Sequence, residues 1–189
     1  MSGDHSDGEA TAQNGDGEPA GGDEPWLVVL CGLPGVGKST VGAVVAERLG
    51  VRRLRTDVVR KELYDDPQYT DEEIANVYRE LLDRTRQTVE AGESVVLDGT
   101  FAERDHRRTV RAIAEEAGAR FRLLEVVCER SVAERRIADR EGGMSDADVE
   151  VYHQFREEFH PIEMYHVAID NSGTEQETRE QVARTFPDT

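Results

Sequence analysis

Gly32-Leu33-Pro34-Gly35-Val36-Gly37-Lys38-Ser39 fits G-x-x-x-x-G-K-[ST], the pattern of a glycine-rich phosphate-binding loop. The residues around it match the structural context that such a loop needs. Trp26-Leu-Val-Val-Leu-Cys31, just before it, is a short apolar run that reads as a buried parallel strand. Ser39 to Leu49, just after it, places Val41, Val44, Val45 and Leu49 at helical spacing. In a strand–loop–helix of this kind the glycines let backbone N–H groups turn inward around phosphate oxygens. The helix N-terminus adds the positive end of its dipole. The pattern assigns Gly32 through Thr40 to nucleotide phosphates, with Lys38 reaching the β- and γ-phosphates and the Ser39 hydroxyl ligating Mg²⁺.

Composition bounds the rest. Residues 1–25 hold seven acidic residues, six glycines and no lysine or arginine, and no Val, Ile, Leu or aromatic residue precedes Trp26. Such a stretch buries nothing and reads as a disordered acidic tail. It has neither the basic nor the apolar region of a signal peptide. Residues 26–189 then form a single domain large enough for a proper core. The net charge is −17, and only two lysines, Lys38 and Lys61, stand against 21 arginines. A carboxylate-rich surface with arginine in place of lysine reads as adaptation to high salt, the alternative being an ordinary acidic cytosolic protein. Either disfavours non-specific nucleic-acid binding, although local arginine clusters override a global balance. Cys31 and Cys128 end apolar runs without a C-x-x-C partner, so buried thiols in a reducing, cytoplasmic compartment are expected. No stretch approaches transmembrane length, and nothing in the pattern sets an oligomeric state.

Further strands are read at 51–55, 94–97, 121–128 and 166–170, alternating with helices. Thr70 is expected to cap a helix that closes at Gly92, and Ser131 to cap a basic helix running to Arg140. Gly142-Gly143 reads as a hinge, and Ser145-Asp146 as the cap of a helix carrying Val149, Tyr152, Phe155 and Phe159. Alternation of strand and helix makes this an α/β fold. The expected architecture is a three-layer P-loop NTPase fold, a parallel five-stranded sheet with helices on both faces and an arginine-bearing lid.

Three further places bear on what happens to the terminal phosphate. Asp57 follows the second strand, where open α/β sheets collect ligands, and there a carboxylate can accept the proton of an attacking hydroxyl. Arg60 lies one helical turn on and can hold the substrate or an anionic group beside that base; alternatively Asp57 only caps a short helix and pairs with Arg60. Asp98 closes Val95-Val-Leu-Asp98 as a second Mg²⁺ carboxylate, usually acting through water, or as the aspartate of an Asp-Gly turn. Arg136 and Arg140 share a face of the basic helix. Their reading is either lid arginines that stabilise the transferring phosphoryl group or a solvated face paired with Glu134, Asp139 and Glu141.

In the order GLPGVGKST, LRTDVVRKEL, VVLDGTF, SVAERRIADRE, the chain resembles the small P-loop kinase-like proteins of the AAA-type ATP-binding domain group. Polynucleotide 5′-hydroxyl kinases, gluconate kinases, chloramphenicol phosphotransferases and zeta-type toxins are related to that group. The resemblance runs from Leu27 to about Val182 and includes SDADVEVYHQFREEF and AIDNSGT. It implies that Lys38 and Ser39 bind phosphate and Mg²⁺, that Asp57 activates the acceptor hydroxyl, and that Arg136 and Arg140 are lid arginines. It also implies that Asn171 to Gly173 pass near the nucleotide base. AAA+ sensor elements are not read in this chain, so a kinase-like domain is implied and not a ring-forming motor.

The expected activity is ATP- and Mg²⁺-dependent phosphorylation of a hydroxyl on a small metabolite or nucleoside-like acceptor. A polynucleotide 5′-hydroxyl kinase is the alternative within the same chemistry, and a nucleotide-binding switch or slow ATPase the alternative outside it. ATP is preferred over GTP because no Asn-Lys-x-Asp guanine-reading motif follows the later strands. Side chains from Tyr64 to Glu73 and from Ala102 to Arg108 are expected to select the acceptor.

Overall fold

The computed structural model describes residues 24–141 and 155–187, with the side chains of residues 140 and 141 left out. Residues 1–23 of the tail read over 1–25, the Gly142-Gly143 hinge and the helix start at Ser145-Asp146 lie outside the described residues. The elements run β1 (Trp26–Cys31), α1 (Lys38–Leu49), β2 (Arg52–Arg55), α2 (Thr56–Leu63), α3 (Asp71–Glu90), β3 (Val95–Asp98) and α4 (Arg104–Glu116). They continue through β4 (Arg120–Val127), α5 (Arg130–Glu141), β5 (Val167–Asp170) and α6 (Glu175–Thr185). All five strands are parallel, in the order β2-β3-β1-β4-β5.

Two-residue periodicity divides the core. Leu27, Val29 and Cys31 of β1 face α2, α3 and α4 through Val59, Val77, Leu81, Val110 and Ile113. Val28 and Leu30 face α1 and α6 through Val41, Val45 and Val182. Burial on both sides explains why β1 and β3 read as unbroken apolar runs and not as alternations. The sheet therefore lies between two helical layers, as expected. Trp26 closes its lower edge, packed edge-on against Phe186 with ring centroids 5.4 Å apart.

Helix ends follow local chemistry. Gly50 terminates α1 in the left-handed region, and the N–H groups of Gly50 and Val51 reach the carbonyls of Glu47 and Ala46. The Thr70 hydroxyl accepts from the Glu73 N–H, and Thr174 with Glu177 forms a reciprocal capping box on α6. The expected Ser131 cap is corrected. The helix opens two residues earlier, at Arg130, with the Glu129 carbonyl accepting from the N–H groups of Val132 and Ala133. The Glu129 N–H is itself held by the Ser172 hydroxyl at 2.8 Å, which turns the chain before Ser131 is reached.

Two buried acids make the fold sensitive to alkali. Desolvation pushes the Cys31 thiol from 9.0 to about 12, and the Tyr78 phenol from 10.0 to about 12. The native chain then keeps protons that the unfolded chain releases. The stability tied to these groups is complete below pH 9 and is lost as pH rises toward 12, at up to about 1.4 kcal/mol per pH unit for each. Urea unfolding at pH 8, 9.5 and 10.5 is expected to show a falling midpoint with a constant slope. A midpoint that does not move contradicts the assignment.

Candidate active site

The glycine loop leaves β1 between β3 and β4, at the carboxyl end of the sheet. Gly37 caps α1 at φ 89°, and a β-carbon there would collide with the side-chain nitrogen of Asn171. A β-carbon on Gly32 would strike the Val126 carbonyl oxygen. Gly37→Ala is therefore expected to combine left-handed strain with a clash, lowering nucleotide affinity by roughly ten-fold or more. Titration with a fluorescent nucleotide checks this; affinity within two-fold of the parent contradicts it.

The Lys38 ammonium lies against its own loop, donating to the carbonyls of Gly32 at 3.0 Å and Leu33 at 2.9 Å. The Ser39 carbonyl accepts from Arg53 at 2.9 Å. The same Arg53 nitrogen stands 3.9 Å from the Asp98 carboxylate, so one guanidinium of β2 joins the start of α1 to the end of β3. Asp98 is 5% exposed, and among the described residues its Oδ2 has no hydrogen-bond donor. Arg55 approaches that oxygen to 3.7 Å and also holds Asp57 at 2.8 Å, thereby bridging the two carboxylates. Asp57, in the first turn of α2, is 54% exposed. Its partner is Arg55 and not Arg60.

Arg60 has no carboxylate within ion-pairing distance among the described residues. Its guanidinium lies 4.6 Å from the centre of the Tyr69 ring, and its buried Nε has no hydrogen-bond partner among the described residues. Tyr69 adopts φ 56°, with its N–H held by Glu73 at 2.6 Å. This is the uncommon left-handed backbone of a bulky residue.

On the other flank, α5 brings Arg136 over the loop. Its guanidinium donates to the Val36 carbonyl at 3.2 Å and to the Asn171 carbonyl at 2.9 Å. The Asn171 side chain is buried and donates to the same Val36 oxygen at 2.9 Å, while its own oxygen accepts from the Thr178 hydroxyl. Asn171 thus stitches the glycine loop to α6. The Arg140 side chain lies outside the described residues. A cavity of about 210 Å³ opens beside the loop, bounded by Gly32, Leu33, Val36, Cys128, Arg156 and Phe159.

The structure brings together Lys38, Ser39, Asp57, Asp98 and, through Val36, Arg136. Reading the sequence missed Arg53 and Arg55. Their signal was present in Arg52-Arg-Leu-Arg55, a strand whose charges are costly at the end of a sheet unless they meet carboxylates. Among the described residues no group of three or more His, Cys, Asp or Glu is arranged to hold a metal ion. Mg²⁺ still fits, because it takes one or two carboxylates together with substrate phosphates and keeps several waters. The donor-less Asp98 oxygen suits such a hydrated ion.

The profile of the AAA domain family matches residues 27–162. The chain belongs to that family. An uncharacterised protein of Mycobacterium tuberculosis is 34% identical over 139 residues, as is one from Mycobacterium bovis, covering 66% of this chain. The match spans 28% of the length of those curated relatives. Among solved structures, the chain is similar to Mycobacterium tuberculosis APS kinase in complex with AMPPNP and APS. The TM-score is 0.70 at 20% identity, covering 87% of this chain and 99% of that one. It is also similar to a gluconokinase from Sinorhizobium meliloti, with a TM-score of 0.64 at 22% identity, covering 85% and 93%. This member of the AAA domain family has a P-loop kinase-like fold. Among the described residues, no helix is long and apolar enough to cross a membrane.

Proposed function

We propose that the chain is an ATP- and Mg²⁺-dependent kinase that transfers the γ-phosphate to a hydroxyl of a small metabolite or nucleoside-like acceptor. The observation that carries this reading is the Asp57–Arg55–Asp98 bridge beside a complete glycine loop. A loop alone binds nucleotide; two carboxylates at neighbouring strand ends supply a place for an acceptor and for a hydrated cation.

In this reading Lys38 and the backbone N–H groups of the loop hold the β- and γ-phosphates. Ser39 and Asp98 hold Mg²⁺, which when bound neutralises phosphate charge. Asp57 takes the acceptor's hydroxyl proton as that oxygen forms its bond to the γ-phosphorus. The bond from phosphorus to the bridging oxygen of ADP breaks, and ADP leaves with the electron pair. Arg60, with Tyr69 beneath it, holds an anionic or planar part of the acceptor. Arg136 and Arg140 stabilise charge on the transferring group from the α5 side.

One observation favours a polynucleotide 5′-hydroxyl as acceptor. Arg104, Arg108 and Arg111 line a groove of about 310 Å³ along α4 against Glu163 and Glu115. That is a local cationic surplus in a chain of net charge −17. Two of the arginines share the Glu163 carboxylate, at 2.7 and 3.4 Å, and Arg111 pairs with Glu115, so a small acceptor ranks first.

Incubation with γ-labelled ATP and Mg²⁺ in high salt tests the proposal, using a panel of sugars, nucleosides and 5′-hydroxyl oligonucleotides. Label on a single small acceptor supports the first reading, and label on oligonucleotide alone the second. Tight ATP binding with slow hydrolysis and no labelled acceptor supports a nucleotide-dependent switch.

A further inference from the structure

Among the described residues Arg107 is the largest fully buried side chain, with 1% of its surface exposed. It lies on α4, yet among the described residues no carboxylate is within ion-pairing distance of it. One terminal nitrogen donates to the carbonyls of Phe101 at 2.6 Å and Ala102 at 2.7 Å. The other donates to the carbonyls of His160 at 2.8 Å and Pro161 at 2.9 Å. The guanidinium also lies 5.4 Å from the centre of the Phe159 ring. Burial pushes its pKa below the usual arginine value, which marks a real desolvation cost. An apolar side chain would fill the same space without that cost. What it would not do is bind four carbonyls from two distant segments.

Those two segments flank the candidate site. The first, after β3, starts from Asp98 and is strained: Phe101 sits at φ 44° with its ring fully buried. Its Thr100 carbonyl accepts from the N–H of Gly32 in the glycine loop, and the Phe101 N–H donates to the Tyr78 hydroxyl. The second segment carries Arg156 and Phe159, which form the far wall of the cavity beside Gly32, Leu33 and Val36. The His160 N–H donates to the Ala102 carbonyl, and the Arg104 N–H reaches His160 Nδ1, so the segments also touch directly.

We propose that Arg107 is a positioning residue that locks the loop after β3 and residues 159–161 into one body, fixing the spacing between the glycine loop and the Arg156–Phe159 wall. The consequence for acceptor binding rests on the kinase reading; the lock itself does not. Arg107→Lys keeps the charge but offers a point donor in place of a fork.

Hydrogen exchange and kinetics together test the lock. In Arg107→Lys, amides at 100–104 and at 159–162 are expected to exchange together, roughly ten-fold faster than in the parent, while β1 keeps its protection. The acceptor KM is expected to rise about ten-fold, with nucleotide Kd within about three-fold. Uniform acceleration that includes β1, loosening of only one segment, or an unchanged acceptor KM would each overturn the proposal. Tyr78→Phe removes the other anchor of Phe101 and tests the lock without touching Arg107. Exchange at 100–104 is then expected to rise less than about three-fold, with 159–162 unaffected. A ten-fold rise there identifies Tyr78 as the anchor and refutes the assignment to Arg107. If the parent protein labels no acceptor, the kinase reading falls, while the exchange pattern still decides the lock.

Discussion

Asp57→Ala is expected to lower phosphoryl transfer by a factor on the order of 10²–10⁴ while leaving Mg²⁺-nucleotide affinity within about three-fold. The carboxylate sits on α2, outside the glycine loop, so its removal takes nothing from the phosphate cradle. It does take the partner of Arg55, whose remaining carboxylate is Asp98 at 3.7 Å. Asp57→Asn separates these effects, because an amide oxygen still accepts from Arg55 but cannot take a proton. Both variants are therefore expected to fail in transfer. Titration with a fluorescent nucleotide and single-turnover transfer to the identified acceptor read the two quantities independently. Transfer that survives Asp57→Asn removes the general base from the mechanism. Slow hydrolysis that Asp57→Ala leaves untouched, with no transfer in the parent, indicates a switch.

Lys38→Ala fails in a different way, losing binding as well as transfer. The ammonium is bonded to the carbonyls of Gly32 and Leu33, so it closes the loop on itself, and in the proposed mechanism it also holds the β- and γ-phosphates. Its removal deletes two charge-assisted hydrogen bonds of the loop and, in the proposed mechanism, a cation that holds the transferring phosphate. At about 1.5–3 kcal/mol for a bond to a charged group, nucleotide affinity is expected to fall by about 10²-fold. Transfer is expected to fall by about 10³-fold or more, since charge at the reacting phosphate is stabilised most in the transition state. Isothermal titration with an ATP analogue and Mg²⁺ measures the first, and quenched-flow transfer the second. Affinity unchanged in Lys38→Ala means that the nucleotide binds elsewhere.

Legibility in the sequence followed the physics of each segment. β1, the glycine loop and α1 were readable because a doubly buried strand, obligatory glycines and an apolar stripe leave little freedom. The helix start at Thr70 was readable from its side-chain chemistry. Ser131 misled because the true start depends on a bond from Glu129 to Ser172, 43 residues away. The site was half readable. Lys38, Ser39, Asp57 and Asp98 come from local patterns, but the bridging role of Arg55 exists only once β2 lies beside β3. Arg107 was missed because Arg104-Asp-His-Arg-Arg-Thr-Val-Arg111 looks like a solvated charged face. Helical spacing held the signal: residues 107, 110 and 114 share one stripe, and Val110 and Ala114 are core. A cation on the apolar stripe of a helix is worth following to its acceptors.

The strand order has a consequence for how the chain is made. β1 emerges early, yet both its neighbours come much later: Leu27 pairs with Val95, and Trp26 with Arg120. Until those residues leave the ribosome, Leu-Val-Val-Leu-Cys is an unpaired apolar ribbon with two open edges. Parallel pairing across such separations is slow, because chain closure precedes any reward from contacts. β1 is thus synthesised before both its neighbours and sheltered late, and its aggregation hazard is greatest during translation. The nucleotide loop, joined to that strand, receives its full support only after Asn171 has been synthesised.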